Sequence, residues 1–189
     1  MMALTSEKDK MLSGQMYNPM APQLVAERHK ARELFRAFNQ SPESATAYRW
    51  RLLWQLLPNA GGDIFIEPPF YCDYGYNIHT GQQVFFNFDC VVLDVAPVYL
   101  GSRLMCAPKV QLYTATHPLE AKARYSGKEY ARSIHIGEEV WLGGGVIVCP
   151  GVRIGDRSII GAGSVVTRDV PPDVFAAGNP CQVIRKIEQ

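Results

Sequence analysis

His117 is the residue whose type and setting best suit proton transfer. It lies in the Thr-Ala-Thr-His-Pro run of residues 114–118, at the start of a stretch poor in apolar residues that extends to about Ser133. An imidazole titrates near neutral pH, so a histidine in this setting can remove the proton from an alcohol. Position alone leaves two interpretations open: a general base, or a surface histidine of a loop.

The segment around His117 interrupts a six-residue repeat. The repeat is clearest in a column of aliphatic residues, Ile136, Leu142, Val148, Ile154, Ile160 and Val166. A second column, one position later, contains Gly137, Gly143, Gly155 and Gly161, with Cys149 as the exception. The pattern resumes upstream as far as Thr80, with its first part shifted by two positions. From about Thr80 to Val166 it predicts the hexapeptide coils of a parallel β-helix.

Each hexad of such a coil supplies one short strand and one tight turn. We expect the aliphatic residue to point into the core and the glycine after it to permit the unusual backbone of the turn. Stacked coils pair strand on strand, so each coil satisfies the backbone groups of the next. The polar segment of residues 115–133 cannot continue the coil. It is therefore predicted to project as a loop, and binding residues concentrate in such excursions.

The residues before the repeat have a different rhythm. Apolar residues recur at helical spacing from Leu24 to Phe38 and from Tyr48 to Leu57, and Ser41-Pro42 between these runs predicts the start of the second helix. We predict a small helical cap over residues 1–60 and a β-helix domain over residues 61–189, with its projecting loop and a C-terminal tail. Covering the open end of the repeat is the simplest role for the cap.

Composition bounds the class of protein. The 189 residues carry 19 basic and 18 acidic side chains, so no charge excess matches nucleic acid or an anionic membrane surface. The polar start of the chain lacks a signal-peptide core, and no window approaches the ~20 apolar residues of a membrane span. The five cysteines are widely spaced without a metal-ligand pattern. These features predict a cytoplasmic protein with reduced cysteines and no required metal.

Several motifs go beyond the repeat and carry a resemblance. They are Cys-Asp-Tyr-Gly-Tyr-Asn-Ile at 72–78, Asn-Phe-Asp-Cys at 87–90, Leu-Asp-Val at 93–95, Tyr-Thr-Ala-Thr-His-Pro at 113–118, Gly-Asn-Pro at 178–180, and Met-Leu-Ser-Gly with Met-Tyr at 11–17. Together they resemble the maltose and galactoside O-acetyltransferases over nearly the whole chain, and the maltose branch most closely. The resemblance implies a mainly β fold, a left-handed parallel β-helix with a small N-terminal helical appendage. It also implies a homotrimer with active sites between neighbouring subunits.

The resemblance also implies roles for individual residues. His117 matches the catalytic base, which would let a hydroxyl of a maltose-like or glucose-like sugar attack the thioester of acetyl-CoA directly. Asn87 matches a catalytic and substrate-binding asparagine, and Asp73 a sugar contact. Two further roles are expected from position and not from the resemblance. Glu129 is expected to hold the imidazole, to bind sugar or to be a solvated charge of the loop. Trp141 occupies an outward-facing slot of the hexad, where it is expected either to offer a flat apolar wall to a ligand or to pack between subunits. Residues expected to bind acetyl-CoA are Gly144, Ala162, Thr167, Arg168 and Arg185.

Three departures from the galactoside branch concern specificity. Val95 and Asn18-Pro19 replace sugar-binding aspartates, and Gln182 stands where an arginine contacts the cofactor. These changes leave the reaction class intact but put a preference for galactosides in doubt, and Gln182 is expected to weaken the binding of coenzyme A.

Other interpretations remain open from the sequence. The same fold can use an antibiotic or other small alcohol as acceptor, act as a non-catalytic scaffold, or carry carbonic anhydrase chemistry, which needs three histidines around zinc. A covalent mechanism through Cys106 or Cys149 is a further alternative, although both cysteines fall in repeat columns occupied by packing or turn residues.

Overall fold

The N-terminal part of the chain is helical. The computed structural model describes residues 5–189; residues 1–4, where the predicted cap begins, lie outside the described part. The helices are α1 (Glu7–Leu12), α2 (Pro22–Asn39) and α3 (Thr46–Leu56). The expectation that Ser41-Pro42 starts a helix is wrong. The Ser41 hydroxyl instead donates to the Phe38 carbonyl at the end of α2, and Pro42 accepts from the Ala45 N–H in the turn before α3.

A coil of short strands follows the helices. In chain order its strands are β1 (Ile64–Ile66), β2 (Phe70–Cys72), β3 (Ile78–Thr80), β4 (Val84–Phe86), β5 (Cys90–Leu93), β6 (Val98–Leu100), β7 (Met105–Cys106) and β8 (Gln111–Tyr113). A projecting loop contains β9 (Ala115–Thr116), α4 (Ala121–Arg124) and β10 (Tyr130–Ala131). The coil then resumes with β11 (Ile134–Ile136), β12 (Trp141–Leu142), β13 (Ile147–Val148), β14 (Arg153–Ile154), β15 (Ile159–Ile160), β16 (Val165–Val166), β17 (Val174–Ala177) and β18 (Gln182–Lys186).

These strands stack into three sheets, one on each side of the coil. The first sheet has the order β1-β4-β7-β12-β15-β17-β18, the second β16-β13-β8-β5-β2, and the third β14-β11-β6-β3. Pairing is parallel throughout the coil, and only β18 returns antiparallel to β17. Alternate side chains point inward and build one continuous aliphatic core. The prediction of a mainly β fold built on a parallel β-helix is confirmed.

The register explains the phase shift in the sequence. Ile136 pairs with Ile154, eighteen positions later, whereas Phe86 pairs with Cys106, twenty positions later. The two additional residues lie between the second and third sheets, because Val92 to Leu100 spans eight positions where Val148 to Ile154 spans six. The early coils therefore have a wider turn on this side of the molecule.

We name the turns between sheets as corners. The first corner joins the first and second sheets and contains residues 87–89, 107–110, 143–146 and 161–164 of successive coils. The second corner joins the second and third sheets and contains residues 73–77, 94–97, 114–133, 149–152 and 167–169. The projecting loop is thus an enlarged second corner.

The glycines after the aliphatic column have a different role from the one expected. A Cβ on Gly143 would lie 2.6 Å from the backbone nitrogen of Ala162, and one on Gly101 would lie 2.4 Å from the backbone carbon of Gly137. These glycines therefore allow adjacent coils to approach closely. The left-handed backbone occurs two positions further on, at Gly145 with φ 69° but also at Glu139 with φ 56°.

A second, smaller core lies beneath the projecting loop. Its buried members are Met11, Tyr17, Leu24, Tyr74, Val95, Ala96 and Ala131. They come from the N-terminal segment, the second corner and the base of the loop. This cluster ties the helical part of the chain to the loop that carries His117.

Candidate active site

His117 and Glu129 face each other at the base of the projecting loop. The antiparallel pair β9 and β10 brings the two ends of the loop together, with Thr116 opposite Tyr130. His117 Nε2 lies 3.8 Å from Glu129 Oε2, and the imidazole is 52% exposed whereas the Glu129 side chain is 15% exposed. The loop therefore presents an accessible imidazole backed by a largely buried carboxylate.

Asp73 lies in the same region, on the second corner of an earlier coil. Its carboxyl is partly buried, and burial followed by the charge of Glu129 raises its pKa, while Arg28 and Arg32 oppose that rise. Glu129 thus faces His117 and also lies within electrostatic range of Asp73. Such a cluster offers hydrogen-bond acceptors to the hydroxyls of a polyol.

Asp94 supports this corner from inside. Its side chain is fully buried; Oδ1 accepts the N–H groups of Asp73 and Tyr74 at 3.0 and 2.9 Å, and Oδ2 accepts the N–H of Asn77 at 3.3 Å. Burial raises the pKa of Asp94 to about 7, although the backbone donors favour the ionised form. The carboxyl therefore fixes the backbone that carries Asp73.

Thr114 fixes the root of the loop in a similar way. Its hydroxyl donates to the Leu93 carbonyl at 2.6 Å and accepts from the Ala96 N–H at 3.0 Å, and its own carbonyl accepts from the Arg132 N–H at 2.9 Å. The chain three residues before His117 is thereby tied to the coil beneath and to the returning end of the loop.

Asn87, Gly144 and Ala162 lie together on the first corner, away from His117. Asn87 Oδ1 accepts the N–H of Phe88 at 2.8 Å, which leaves its Nδ2 group without a hydrogen bond among residues 5–189. Phe88, Pro108, Gly144 and Ala162 occupy equivalent positions in successive coils. Proline has no N–H, and the N–H groups of Gly144 and Ala162 make no hydrogen bond within the described chain. This corner therefore presents backbone donors along an open track.

The remaining predicted site residues are spread over three further places. Trp141 is 47% exposed on the outer face of the first sheet, between Met105 and Ile159. Arg185 lies on β18 opposite Phe175. Thr167 and Arg168 are exposed on the second corner of the last complete coil. One chain thus brings His117, Glu129 and Asp73 together but leaves Asn87 and the predicted cofactor residues apart from them.

The surroundings of Cys106 and Cys149 disfavour a role as nucleophile. Cys106 is fully buried in the core, and burial raises the pKa of its thiol well above the ordinary value. Burial also raises the pKa of the partly buried Cys149. Over residues 5–189, no three His, Cys, Asp or Glu side chains come together as metal ligands, and none of the described helices is long and apolar enough to cross a membrane.

Comparison with known proteins matches both parts of the chain. The maltose acetyltransferase hexapeptide capping motif matches residues 10–61, and the bacterial transferase hexapeptide, in six repeats, matches residues 133–168. The galactoside O-acetyltransferase of Escherichia coli K12 is 39% identical over 179 residues, which cover 95% of this chain and 88% of that protein.

Solved structures agree with the sequence matches. A maltose O-acetyltransferase from Clostridium difficile 630 superimposes with a TM-score of 0.95 at 50% identity, covering 97% of this chain and 98% of that one. This chain belongs to the maltose and galactoside O-acetyltransferase family. A galactoside acetyltransferase in complex with coenzyme A, another member, superimposes with a TM-score of 0.94 at 38% identity, covering 98% of this chain and 92% of that one.

The departures from the galactoside branch of the family can now be placed. Val95 is buried in the small core beneath the loop, so its side chain is a packing group. Gln182 is exposed on β18 opposite Ala177, and Asn18 directly follows Tyr17 at the entry to α2. The prediction that the chain is an acyltransferase of this family is confirmed.

Sequence reasoning missed two residues of this acetyltransferase site. Tyr17 and Asp94 were noted only as parts of matching motifs, yet Tyr17 donates a hydrogen bond to Glu129 and Asp94 holds the corner of Asp73. An aspartate inside the apolar Leu93–Pro97 stretch was the available signal, because a buried carboxylate needs several donors. No local pattern reveals the partner of Tyr17, which lies more than a hundred residues away.

A groove elsewhere on the molecule contains none of the predicted residues. It has a volume of about 820 Å³ on the outer face of the third sheet, where His79, Tyr99 and His135 stack with ring centroids 5.0 and 4.8 Å apart. Two of the four histidines are thus engaged in stacking, apart from the loop of His117.

Proposed function

We propose that this acetyltransferase transfers the acetyl group of acetyl-CoA to a hydroxyl of a maltose-like or glucose-like sugar, with His117 as the general base. The observation that carries the proposal is the pairing of an accessible His117 with the largely buried Glu129, beside Asp73. Membership of the maltose and galactoside family supports the sugar acceptor, and the coenzyme A complex of a relative supports the donor.

The reaction is a direct transfer. His117 takes the proton of the sugar hydroxyl, whose oxygen forms a bond to the thioester carbonyl carbon. The tetrahedral oxyanion then collapses, the carbon–sulfur bond breaks, and the imidazolium returns the proton to the leaving thiolate. The Glu129 carboxylate, 3.8 Å from Nε2, faces the charge that the imidazole carries between these steps. The thiol of Cys106 is buried in the core, which disfavours a covalent acetyl-enzyme at this residue.

The first corner suits the donor side of this reaction. The nearest atom to a Cβ added on Gly144 is the Pro108 carbonyl oxygen at 3.5 Å, and Cβ atoms on Gly145 and Gly163 would meet nothing within 4 Å. Small residues here let a pantetheine arm approach the backbone closely. The Gly144 N–H is a preorganised donor of the kind that stabilises an oxyanion. Outside the first corner, Arg185 on β18 and Thr167 and Arg168 on the second corner supply charge and hydrogen-bond donors for phosphates.

The separation of the two corners supports an active site shared between subunits. Strand β8 alone places about 10 Å between the first and second corners of one coil. A homotrimer in which the second corner of one subunit faces the first corner of the next would unite His117 with Asn87 and Gly144. Leu119 and Tyr125 at the tip of the loop are 94% and 87% exposed, as expected for residues that contact a neighbour.

The acceptor and the base are tested together. Release of free thiol is measured with acetyl-CoA and a panel of maltose, glucose, galactosides, aminoglycosides and small alcohols. We expect maltose or glucose to be acetylated fastest, and turnover only with a non-sugar alcohol would overturn the sugar assignment. His117→Ala should lower turnover at least ~10²-fold, the usual contribution of a general base, whereas His29→Ala, on the exposed face of α2, should not. A smaller loss in His117→Ala argues against its role.

A further inference from the structure

The N-terminal segment reaches the base of the projecting loop through Tyr17. Tyr17 and Glu129 form an isolated antiparallel bridge: the Tyr17 N–H donates to the Glu129 carbonyl at 3.0 Å, and the Glu129 N–H donates to the Tyr17 carbonyl at 3.2 Å. The backbones of Tyr17 and Glu129 are therefore fixed side by side by two reciprocal hydrogen bonds, as in one hydrogen-bonded pair of an antiparallel sheet. This contact joins the helical part of the chain to the loop at the residue that faces His117.

The side chains repeat the contact. The Tyr17 hydroxyl donates to Glu129 Oε1, while the other oxygen of the same carboxylate, Oε2, faces His117 Nε2. Burial and the adjacent carboxylate raise the pKa of Tyr17 far above its ordinary value, so the phenol keeps its proton and remains a donor. Tyr17 thus restricts the rotation of the Glu129 carboxyl group.

Tyr17 itself cannot touch a substrate from this position, because its side chain is fully buried. It packs in the small core with Met11, Tyr74 and Ala131. Most of the loop outside this base is exposed, so the loop contains little of its own to fix Glu129. Any influence of Tyr17 on the reaction must therefore pass through Glu129.

We propose that Tyr17 is a positioning residue for the acetyl transfer: its hydroxyl and backbone orient Glu129, and Glu129 orients the imidazole of His117. The inference rests on the proposed role of His117 as base. It gives the N-terminal segment a part in the reaction beyond closing the end of the coil. Because a small displacement of a catalytic group costs much of its rate, the effect should appear in kcat more than in KM.

The chain offers a matched control in Tyr76. The Tyr76 hydroxyl donates to Glu27 Oε2 at 2.7 Å. Like the Tyr17–Glu129 bond, this hydrogen bond joins a tyrosine to a glutamate between the N-terminal part of the chain and the rest of the molecule. Glu27 lies on α2 and has Lys8 and Gln23 as its other partners. Tyr17→Phe and Tyr76→Phe each remove one tyrosine–glutamate hydrogen bond, and only the first bond leads to His117.

The kinetic test uses a double-mutant cycle on the full-length protein. We expect Tyr17→Phe to lower kcat by about 10-fold with KM for acetyl-CoA unchanged, and Tyr76→Phe to leave kcat within about two-fold. In a Glu129→Gln background, Tyr17→Phe should have little further effect, since the two residues act in series. Equal losses in the two tyrosine variants, or an undiminished loss in the Glu129→Gln background, would overturn the proposal.

A second measurement is independent of the acceptor. The imidazole ¹H–¹⁵N NMR signals of His117, assigned with His117→Gln, should shift in Tyr17→Phe and stay in place in Tyr76→Phe. Unchanged signals in Tyr17→Phe contradict the positioning role even if activity falls. Should the signals shift while His117→Ala retains full turnover, the positioning holds and the assignment of the base fails, so the two failures are distinguishable.

Discussion

Leu100 and Ile136 pair side by side in adjacent coils of the third sheet, although the whole projecting loop separates them in sequence. Ile136 and Ile154, which have no loop between them, are half as far apart in sequence. The insertion therefore adds three hexads, and the aliphatic column keeps its phase across it. The register of the coil on either side is therefore compatible with a corner that lacks the loop.

A deletion tests this independence. Removing residues 115–132 joins Thr114 to Ser133 and gives this corner the length of Val148–Ile154. We expect a folded β-helix by circular dichroism, with turnover reduced more than ~10²-fold because His117 and Glu129 are lost. Some stability should also be lost, since Tyr17 and Met11 are uncovered.

The control is a deletion that removes one residue fewer. Removing residues 115–131 leaves the aliphatic column out of phase, so inward and outward positions are exchanged in the strand that follows. That variant should fail to fold. If both deletions unfold alike, the loop is needed for the coil, and its independence is disproved.

Sharing of the active site between subunits predicts complementation. His117→Ala and Asn87→Ala should each be nearly inactive alone, because each lacks one half of the site. The two variants are unfolded together in equal amounts and refolded as mixed trimers. About a quarter of the sites should then be active, because each of the two contributing corners has an even chance of coming from the variant in which it is intact. Thiol release before and after mixing measures the gain, and no gain would place the whole site within one subunit.

Alanine substitutions at Gly144 and Gly143 are expected to have different effects, on acetyl-CoA binding in the first case and on coil packing in the second. A Cβ on Gly144 meets nothing closer than 3.5 Å, so Gly144→Ala should retain wild-type stability but raise KM for acetyl-CoA. A Cβ on Gly143 would lie 2.6 Å from the Ala162 nitrogen, so Gly143→Ala should lose about 2 kcal/mol of unfolding free energy. Urea unfolding and acetyl-CoA titrations check both. An unchanged KM in Gly144→Ala removes that residue from the donor site.

The buried Asp94 predicts a pH dependence of stability. Its pKa is about 7 in the folded chain against an ordinary value of 3.8, so between these values the folded state binds more protons than the unfolded state. Stability from this group is therefore present below about pH 4 and is lost as pH rises toward 7, by on the order of 4 kcal/mol. Urea unfolding at fixed protein concentration measures the slope.

Asp94→Asn supplies the comparison, because an amide resembles the protonated carboxyl and does not titrate. The unfolding free energy of the variant should lose this part of the slope, so the variant should gain stability relative to wild type between pH 5 and pH 8. Parallel pH curves for the two proteins would show that Asp94 does not titrate in this range.

The repeat made the coil predictable. Each inward aliphatic residue recurs at a fixed spacing, so position in the hexad decides burial. The six members of the aliphatic column, from Ile136 to Val166, all lie in the core as predicted. The role of the glycines was harder to foresee, because close approach between coils depends on residues eighteen or more positions apart. Ser41-Pro42 misled because helix-start signals and turn signals share the same residues.

The candidate site was predictable only in part, for a related reason. His117 lies in a distinctive local motif, and its loop could be recognised by the failure of the repeat. Tyr17 and Glu129, by contrast, meet through tertiary structure. The sequence also does not indicate that Asn87 and His117 lie on different corners of the coil, since each residue simply follows a short strand.

The antiparallel return of β18 has a consequence for behaviour in concentrated solution. A stack of parallel strands ends in an open edge, and such an edge can template the addition of another molecule and so seed fibres. Here the last strand of the first sheet runs backwards, is exposed along its length, and carries Arg185 and Lys186. A second molecule adding to this edge would have to pair with a reversed strand that carries two positive charges. The strand therefore protects the end of the first sheet against edge-to-edge association.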